Sequence, residues 1–380
     1  MVLTRREFVQ TGVQASVLGF SVWKVPGLAA LVADPPMERV AEVPLIWVAT
    51  GSCTGCSVSL LNSASPCIQE ALLGEILPGK HLSLAFHTTM MASAGEQAMG
   101  AMRGVVAESR GAFVLLVDGA TATAADGFYC SIGETEAGDP ITGYSLVHDL
   151  ARDAAAVLAV GTCSSFGGIP AAHPNPTACV SVGAILEREG VSTPVVSIPG
   201  CPPHPDWIVG TVATVLLGGV EALNLDEYGR PAAFFGPLIH DNCTYRGHYD
   251  RGDFAEHFGE HGCLLKLGCK GPVTYADCPL RKWNNGTSWC IEAGHPCIGC
   301  TEPDFPYEAS LFEVIAPADL TPPAIYPPAS AQSAAKQISP GTAAVVGGAV
   351  GAAAVGAAVG AAKLAKSSAG AGAPPEEGED

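Results

Sequence analysis

A chain of 380 residues with 48% hydrophobic composition can bury one or two full cores, so it has no need of the staples that hold small secreted domains together. Its 19 Lys+Arg against 37 Asp+Glu leave a net charge of −18, which excludes the basic face that nucleic-acid binding requires. Its 45 Gly and 30 Pro lie between apolar runs without a period, excluding collagen and solenoid repeats, and its 14 cysteines demand a chemical reason.

Residues 1–33 have the order of an export signal: Thr4-Arg5-Arg6-Glu7-Phe8, an apolar run over 13–22, then small residues at Ala29, Ala30 and Ala33. A twin-arginine signal exports a protein already folded, so its metal cofactors are inserted before it meets an oxidising compartment. This argues against disulfides as the reason for the cysteines.

From there the sequence alternates. Short apolar, β-rich runs occur at 45–49 (LIWVA), 82–87 (LSLAFH), 113–117 (FVLLV), 157–160 (VLAV) and 195–198 (VVSI), with helix-like stretches at 95–110, 145–155 and 180–189. Continuous apolar strands separated by helices predict an α/β fold, a doubly wound parallel sheet of flavodoxin-like type, over residues 34–215. In such a sheet the carboxyl ends of the strands frame the ligand crevice. Cys53 and Cys56 follow the first run, Cys163 the fourth and Cys201 the fifth, so four thiols should converge on one edge. That suits an iron–sulfur cluster, with zinc as the competing reading.

Residues 216–315 hold the densest cysteine region: Cys243, Cys263, Cys269, Cys278, Cys290, Cys297 and Cys300, introduced by His240. Structural zinc prefers paired short knuckles, but only His240-x2-Cys243 and Cys297-x2-Cys300 are short here. Irregular gaps suit clusters better, since thiolates reach a larger inorganic body from several loops. Zinc and, more weakly, disulfides remain open on spacing alone.

Residues 316–341 turn to Pro, Ala and Ser and read as a linker. Within 342–363, Ala343 to Ala362 is uncharged and contains Gly347-xxx-Gly351 and Gly356-xxx-Gly360, the length and small-residue spacing of one membrane crossing. A low-complexity tail is the competing reading. Residues 364–380 end in the acidic group Glu376, Glu377, Glu379 and Asp380, and Lys363 and Lys366 fit a C-terminus left on the cytoplasmic side.

The motifs CTGCSVSLLN, GTCSSFGGIPAA, PGCPPHPDW, IHDNC, LGCKGP, TYADC and AGHPCIGC occur in that order between about Pro44 and Phe312. On them the chain resembles the small, electron-transfer subunit of nickel-iron hydrogenases, most closely the branch with the nickel-iron-selenium enzymes. The resemblance implies H2 oxidation at an active-site metal centre held by a separate large subunit, with electrons passed to a cytochrome b or c type acceptor on the periplasmic side. It places a proximal 4Fe-4S cluster on Cys53, Cys56, Cys163 and Cys201, a distal 4Fe-4S cluster on His240, Cys243, Cys263 and Cys269, and a medial cluster on Cys278, Cys297 and Cys300. Many relatives have proline at the position of Cys290 and a 3Fe-4S medial cluster; a cysteine there predicts a fourth iron and a 4Fe-4S centre. Oxygen-tolerant relatives have extra cysteines at the positions of Gly55 and Gly168, so an ordinary proximal cubane and an oxygen-sensitive enzyme are expected. Ser52 and Val58 stand where many relatives have acids. Cys67, Cys130 and Cys179 are left as structural, and His204 and Asp206 as turn and packing residues. The rival reading is an exported zinc- or disulfide-stabilised binding protein without redox activity.

Overall fold

In the computed structural model, which describes residues 41–73, 75–77, 80–135, 137–307 and 310–314, the five apolar runs form five parallel strands. These are β1 (Ala41–Ala49), β3 (Lys80–His87), β4 (Val114–Asp118), β5 (Ala156–Val160) and β6 (Val195–Ile198). A short antiparallel strand, β2 (Glu75–Leu77), extends the edge beside β3, and the order across the sheet is β6-β5-β4-β1-β3-β2. With that edge set aside, the parallel strands follow the flavodoxin-like order 2-1-3-4-5. The expected signal (1–33), linker (316–341), membrane helix (342–363) and acidic tail lie outside the described residues. No helix among the described residues is long and apolar enough to cross a membrane.

The strands are apolar throughout because both faces are covered. Leu45, Trp47, Leu116, Leu158, Val160 and Ile198 point to one side, under α1 (Gly55–Leu61) and the helix Pro205–Gly218. Their neighbours Ile46, Val48, Leu115, Val117, Val157 and Ala159 point to the other, under α2 (Gly95–Glu108), α3 (Gly143–Asp153) and the helix Val182–Arg188. Alternate side chains along each strand thus enter two separate cores.

Of the elements not expected from sequence, two bear on the sheet and its edge. One is the antiparallel β2. The other is the 14-residue helix Pro205–Gly218, which starts at a stretch read only as a turn: Pro205 takes the first helical position, and His204 caps it by accepting from the Asp206 N–H at 3.1 Å. This helix takes the chain across the expected 215/216 domain boundary. The apolar cluster beneath it runs on through Phe235, Ile239, Leu264, Trp289 and Ile291, so the loop-rich segment shares a core with one face of the sheet.

Candidate metal centres

The four cysteines expected to hold the proximal cluster meet at the carboxyl edge of the sheet. Thr50 N–H donates to the Asp118 carbonyl and Gly51 N–H to that of Ala120, both at 2.8 Å, fixing the exit of β1 to that of β4. Thr54, left-handed at φ 64°, then turns the chain into α1, which places Cys53 before the helix and Cys56 in its first turn. Cys163 lies in α4 (Gly161–Phe166), directly after β5. Cys201 follows β6, and the Gly200 N–H before it donates to Thr162 Oγ1 at 2.8 Å.

The four thiols raise one another electrostatically: Cys53 and Cys163 act on Cys56, Cys201 and Cys53 on Cys163, and Cys53 on Cys201. Burial raises Cys56, Cys163 (to about 12) and Cys201, so these groups stay protonated unless a cation compensates the thiolate. Gly55 and Gly168 stand beside this site: a Cβ at either would lie 3.2 Å from Cys53 Sγ or 3.0 Å from Cys163 Sγ.

The expected distal donors line one small cavity. His240 lies in a 3-10 turn, Cys243 ends it, Cys263 precedes the turn Leu264–Leu267, and Cys269 follows Gly268; Ile239, Tyr245, Arg246, Leu264, Gly271 and Ile291 complete the wall. Burial, aided by Arg246, holds the His240 imidazole down to about 4, so it is neutral and its lone pair is available to a metal. Burial pushes Cys243 up to about 12 and Cys263 to about 11, and raises Cys269. Backbone N–H groups of Tyr245 and Gly271 already point at Cys243 Sγ (3.3 Å) and Cys269 Sγ (3.5 Å), the donors that tune cluster sulfurs.

The medial donors come from one loop-rich stretch. Cys278 opens the short helix Cys278–Arg281, and burial followed by Cys300 and Cys290 raises its thiol. Cys297 is coupled electrostatically to Cys300 and Cys278, and Cys290 to Cys278 and Cys300, and also to Cys269 of the distal group. Cys290 is exposed while Cys278 and Cys297 are buried. Burial pushes Cys300 up to about 12.

The three groups also touch in sequence. Cys201 of the first lies near Cys300 of the second, and Cys297 of the second near Cys269 of the third. Hydrogen bonds cross both junctions: Thr162 Oγ1 donates to the Cys300 carbonyl, and Lys270 N–H to that of Cys297 at 2.7 Å.

These donors fit clusters. Each group is thiol-rich and holds at least one buried sulfur: Cys56 in the first, Cys278 and Cys297 in the second, Cys263 and Cys269 in the third. All 14 cysteines are free thiols.

Cys67, Cys130 and Cys179 join none of the three groups; Cys179 is held by Asn175 Oδ1 on its N–H (2.7 Å) and by Thr177 Oγ1 at its sulfur (3.2 Å). His204 does pack, between Trp207 and Trp283, with Nε2 on the Lys282 carbonyl at 2.9 Å. Asp206 pairs with Arg281 at 2.9 Å, which also grips Asp277, the residue before Cys278. Sequence reasoning missed Arg230, Lys270 and Tyr307, which support the ligand loops; their partners are remote in the chain, and Lys270, although inside LGCKGP, has no metal-ligand signal.

A flavodoxin-like sheet with thiol groups running from its ligand edge defines an iron–sulfur electron-transfer protein. Residues 235–313 match the family model for the C-terminal region of the NiFe/NiFeSe hydrogenase small subunit, and residues 53–215 that of the NADH ubiquinone oxidoreductase 20 Kd subunit. The periplasmic NiFeSe hydrogenase small subunit of Desulfomicrobium baculatum is 46% identical over 325 residues, 83% of this chain and 99% of that one. The Hydrogenase-2 small chain of Escherichia coli K12 is 34% identical over 92% of this chain and 90% of its own. Among solved structures, H2-activated NiFeSe hydrogenase from Dm. baculatum superposes with a TM-score of 0.68 at 48% identity, covering 73% of this chain and 100% of that one. The recombinant NiFeSe enzyme of Desulfovibrio vulgaris Hildenborough gives 0.69 at 46% identity, covering 73% and 99%. The chain belongs to the family of nickel-iron hydrogenase small subunits, electron-transfer proteins whose active-site metal centre is in a separate large subunit.

Proposed function

We propose that this protein holds three 4Fe-4S clusters: proximal on Cys53, Cys56, Cys163 and Cys201, medial on Cys278, Cys290, Cys297 and Cys300, and distal on His240, Cys243, Cys263 and Cys269. The observation that carries the reading is the end-to-end order of the three donor groups, joined by the hydrogen bonds of Thr162 to the Cys300 carbonyl and of Lys270 N–H to the Cys297 carbonyl. Clusters bound there supply one-electron carriers in series between the large subunit and an external acceptor.

The chain's own residues orient and shield that series. Cys53 is exposed, as are apolar Val58 and Leu61 on the α1 that follows it and Ile169, whose backbone bonds the Cys163 thiol, a set of residues suited to the large subunit. Half-buried His240 supplies a neutral donor at the opposite end, suited to the exit toward a cytochrome b or c type acceptor. Glycines at positions 55 and 168 put no extra thiol beside the proximal sulfurs, which supports an ordinary cubane and oxygen sensitivity. The twin-arginine pattern supports a periplasmic location, in keeping with the periplasmic relative, and the apolar 342–363 stretch supports a membrane anchor.

Iron and sulfide analysis of the purified heterodimer, with low-temperature EPR under H2 and after oxidation, tests this. About 12 iron atoms and as much acid-labile sulfide per chain are expected. A colourless protein containing zinc would sink the reading, and a sharp oxidised 3Fe-4S signal from intact protein would refute the medial assignment.

A further inference from the structure

Lys270 lies where the medial and distal donor groups meet. It follows the distal ligand Cys269, and its N–H donates to the carbonyl of the medial ligand Cys297 at 2.7 Å. Its side chain is only 3% exposed, and its Nζ donates to the carbonyls of Leu311 and Glu313, both at 3.0 Å, with the Tyr307 ring centroid 4.8 Å away. These partners are neutral. The exposed Glu313 is the one carboxylate that acts on it electrostatically among the described residues, and it forms no ion pair with it.

The segment that holds Lys270 also closes over both ligand loops. A side chain at Gly268, just before Cys269, would run into the Phe312 carbonyl, and one at Gly299, just before Cys300, would run into the Tyr307 hydroxyl. That hydroxyl is buried with no hydrogen-bond partner. Tyr307, Leu311, Phe312 and Glu313 therefore put protein rather than water at the junction, and in a poorly screened interior a single charge acts strongly over several ångströms.

We propose that Lys270 is a fixed positive charge between the medial and distal clusters that raises both of their reduction potentials relative to the proximal one. The proposal rests on the ligand assignment above. Reduction adds one negative charge to a cluster, and a nearby buried cation stabilises that form, net local charge being one of the levers that set cluster potentials. Lys270 is a positioning residue for electron flow, because it makes the hop away from the proximal site more favourable without binding iron.

The test is an EPR-monitored redox titration of the purified heterodimer, with iron content, for Lys270→Met, Lys270→Gln and Lys270→Arg. The two neutral variants are expected to lower two of the three one-electron steps by at least tenfold in the reduction equilibrium, about 59 mV. The third step should stay in place, and Lys270→Arg should match the wild type. Neutral variants with full iron and unmoved steps would overturn the proposal. So would loss of iron from both neutral variants, since the ammonium would then be a structural strut. A wild-type protein without three one-electron steps would overturn the ligand assignment instead.

Discussion

His87 at the end of β3 is fully buried: its Nδ1 accepts from the N–H groups of Thr89 (3.0 Å) and Met90 (3.1 Å), its Nε2 meets Ser57 Oγ at 3.3 Å, and its ring stacks on Trp47. Burial holds it down to about 4, so the folded protein keeps it neutral. The unfolded chain takes up a proton below about 6.5 and the folded one only near 4, so this stabilisation is complete above about 6.5 and is lost as pH falls toward 4. The loss is on the order of 3 kcal/mol. Urea unfolding of wild type between pH 4 and 7 should show that slope, and His87→Asn should flatten it. Cys290 supports a second prediction at this scale. Cys290→Ala removes the fourth medial thiol, so about one iron per chain should be lost and an oxidised 3Fe-4S signal should appear in EPR. The candidate donors were legible in the sequence through their motifs, since spacing alone left zinc and disulfides open beside clusters. The protonation of His87 was not, because it depends on what surrounds the ring.

The turn from β5 into α4 shows how one element builds a site. Gly161 has φ +86°, and a Cβ there would stand 2.6 Å from Cys56 Sγ. Gly161→Ala would therefore be strained twice, in its backbone and against the sulfur of the proposed ligand Cys56. It should cost about four iron atoms per chain by chemical analysis, with medial and distal signals retained. The five parallel strands were readable because burial on both faces leaves an uninterrupted apolar run. The helix Pro205–Gly218 was hidden: its run of Val and Thr has the composition of a strand, and its cap is an imidazole rather than the usual hydroxyl or carboxylate. Tertiary packing over the sheet outweighs that weak local preference.

Across the whole molecule, the ligand loops are anchored to the sheet by a buried ion network. Arg230, 2% exposed, pairs with Asp226 at 2.7 Å and Glu302 at 3.2 Å and donates to the Thr301 carbonyl, while Gly229 next to it accepts from Ser197 N–H on β6 at 2.8 Å. This ties the sheet edge to the residues just after Cys300. Arg230→Ala leaves the Glu302 carboxylate without its cation and should destabilise the fold by about 3–5 kcal/mol, read as a lower urea midpoint, with medial iron lost first. The sequence by itself determined the strand positions, the acidic surface charge and, through its motifs, the family and the candidate ligands, because these depend on side-chain type and spacing along the chain. Only the tertiary structure decided the alternation of strand residues between two cores, the antiparallel edge, the end-to-end meeting of the donor groups, and the placement of Arg230, Lys270 and Tyr307. These rest on contacts between residues tens of positions apart, such as Arg230 with Glu302 and Lys270 with Leu311, where the energy comes from burial and partner geometry that no local pattern records.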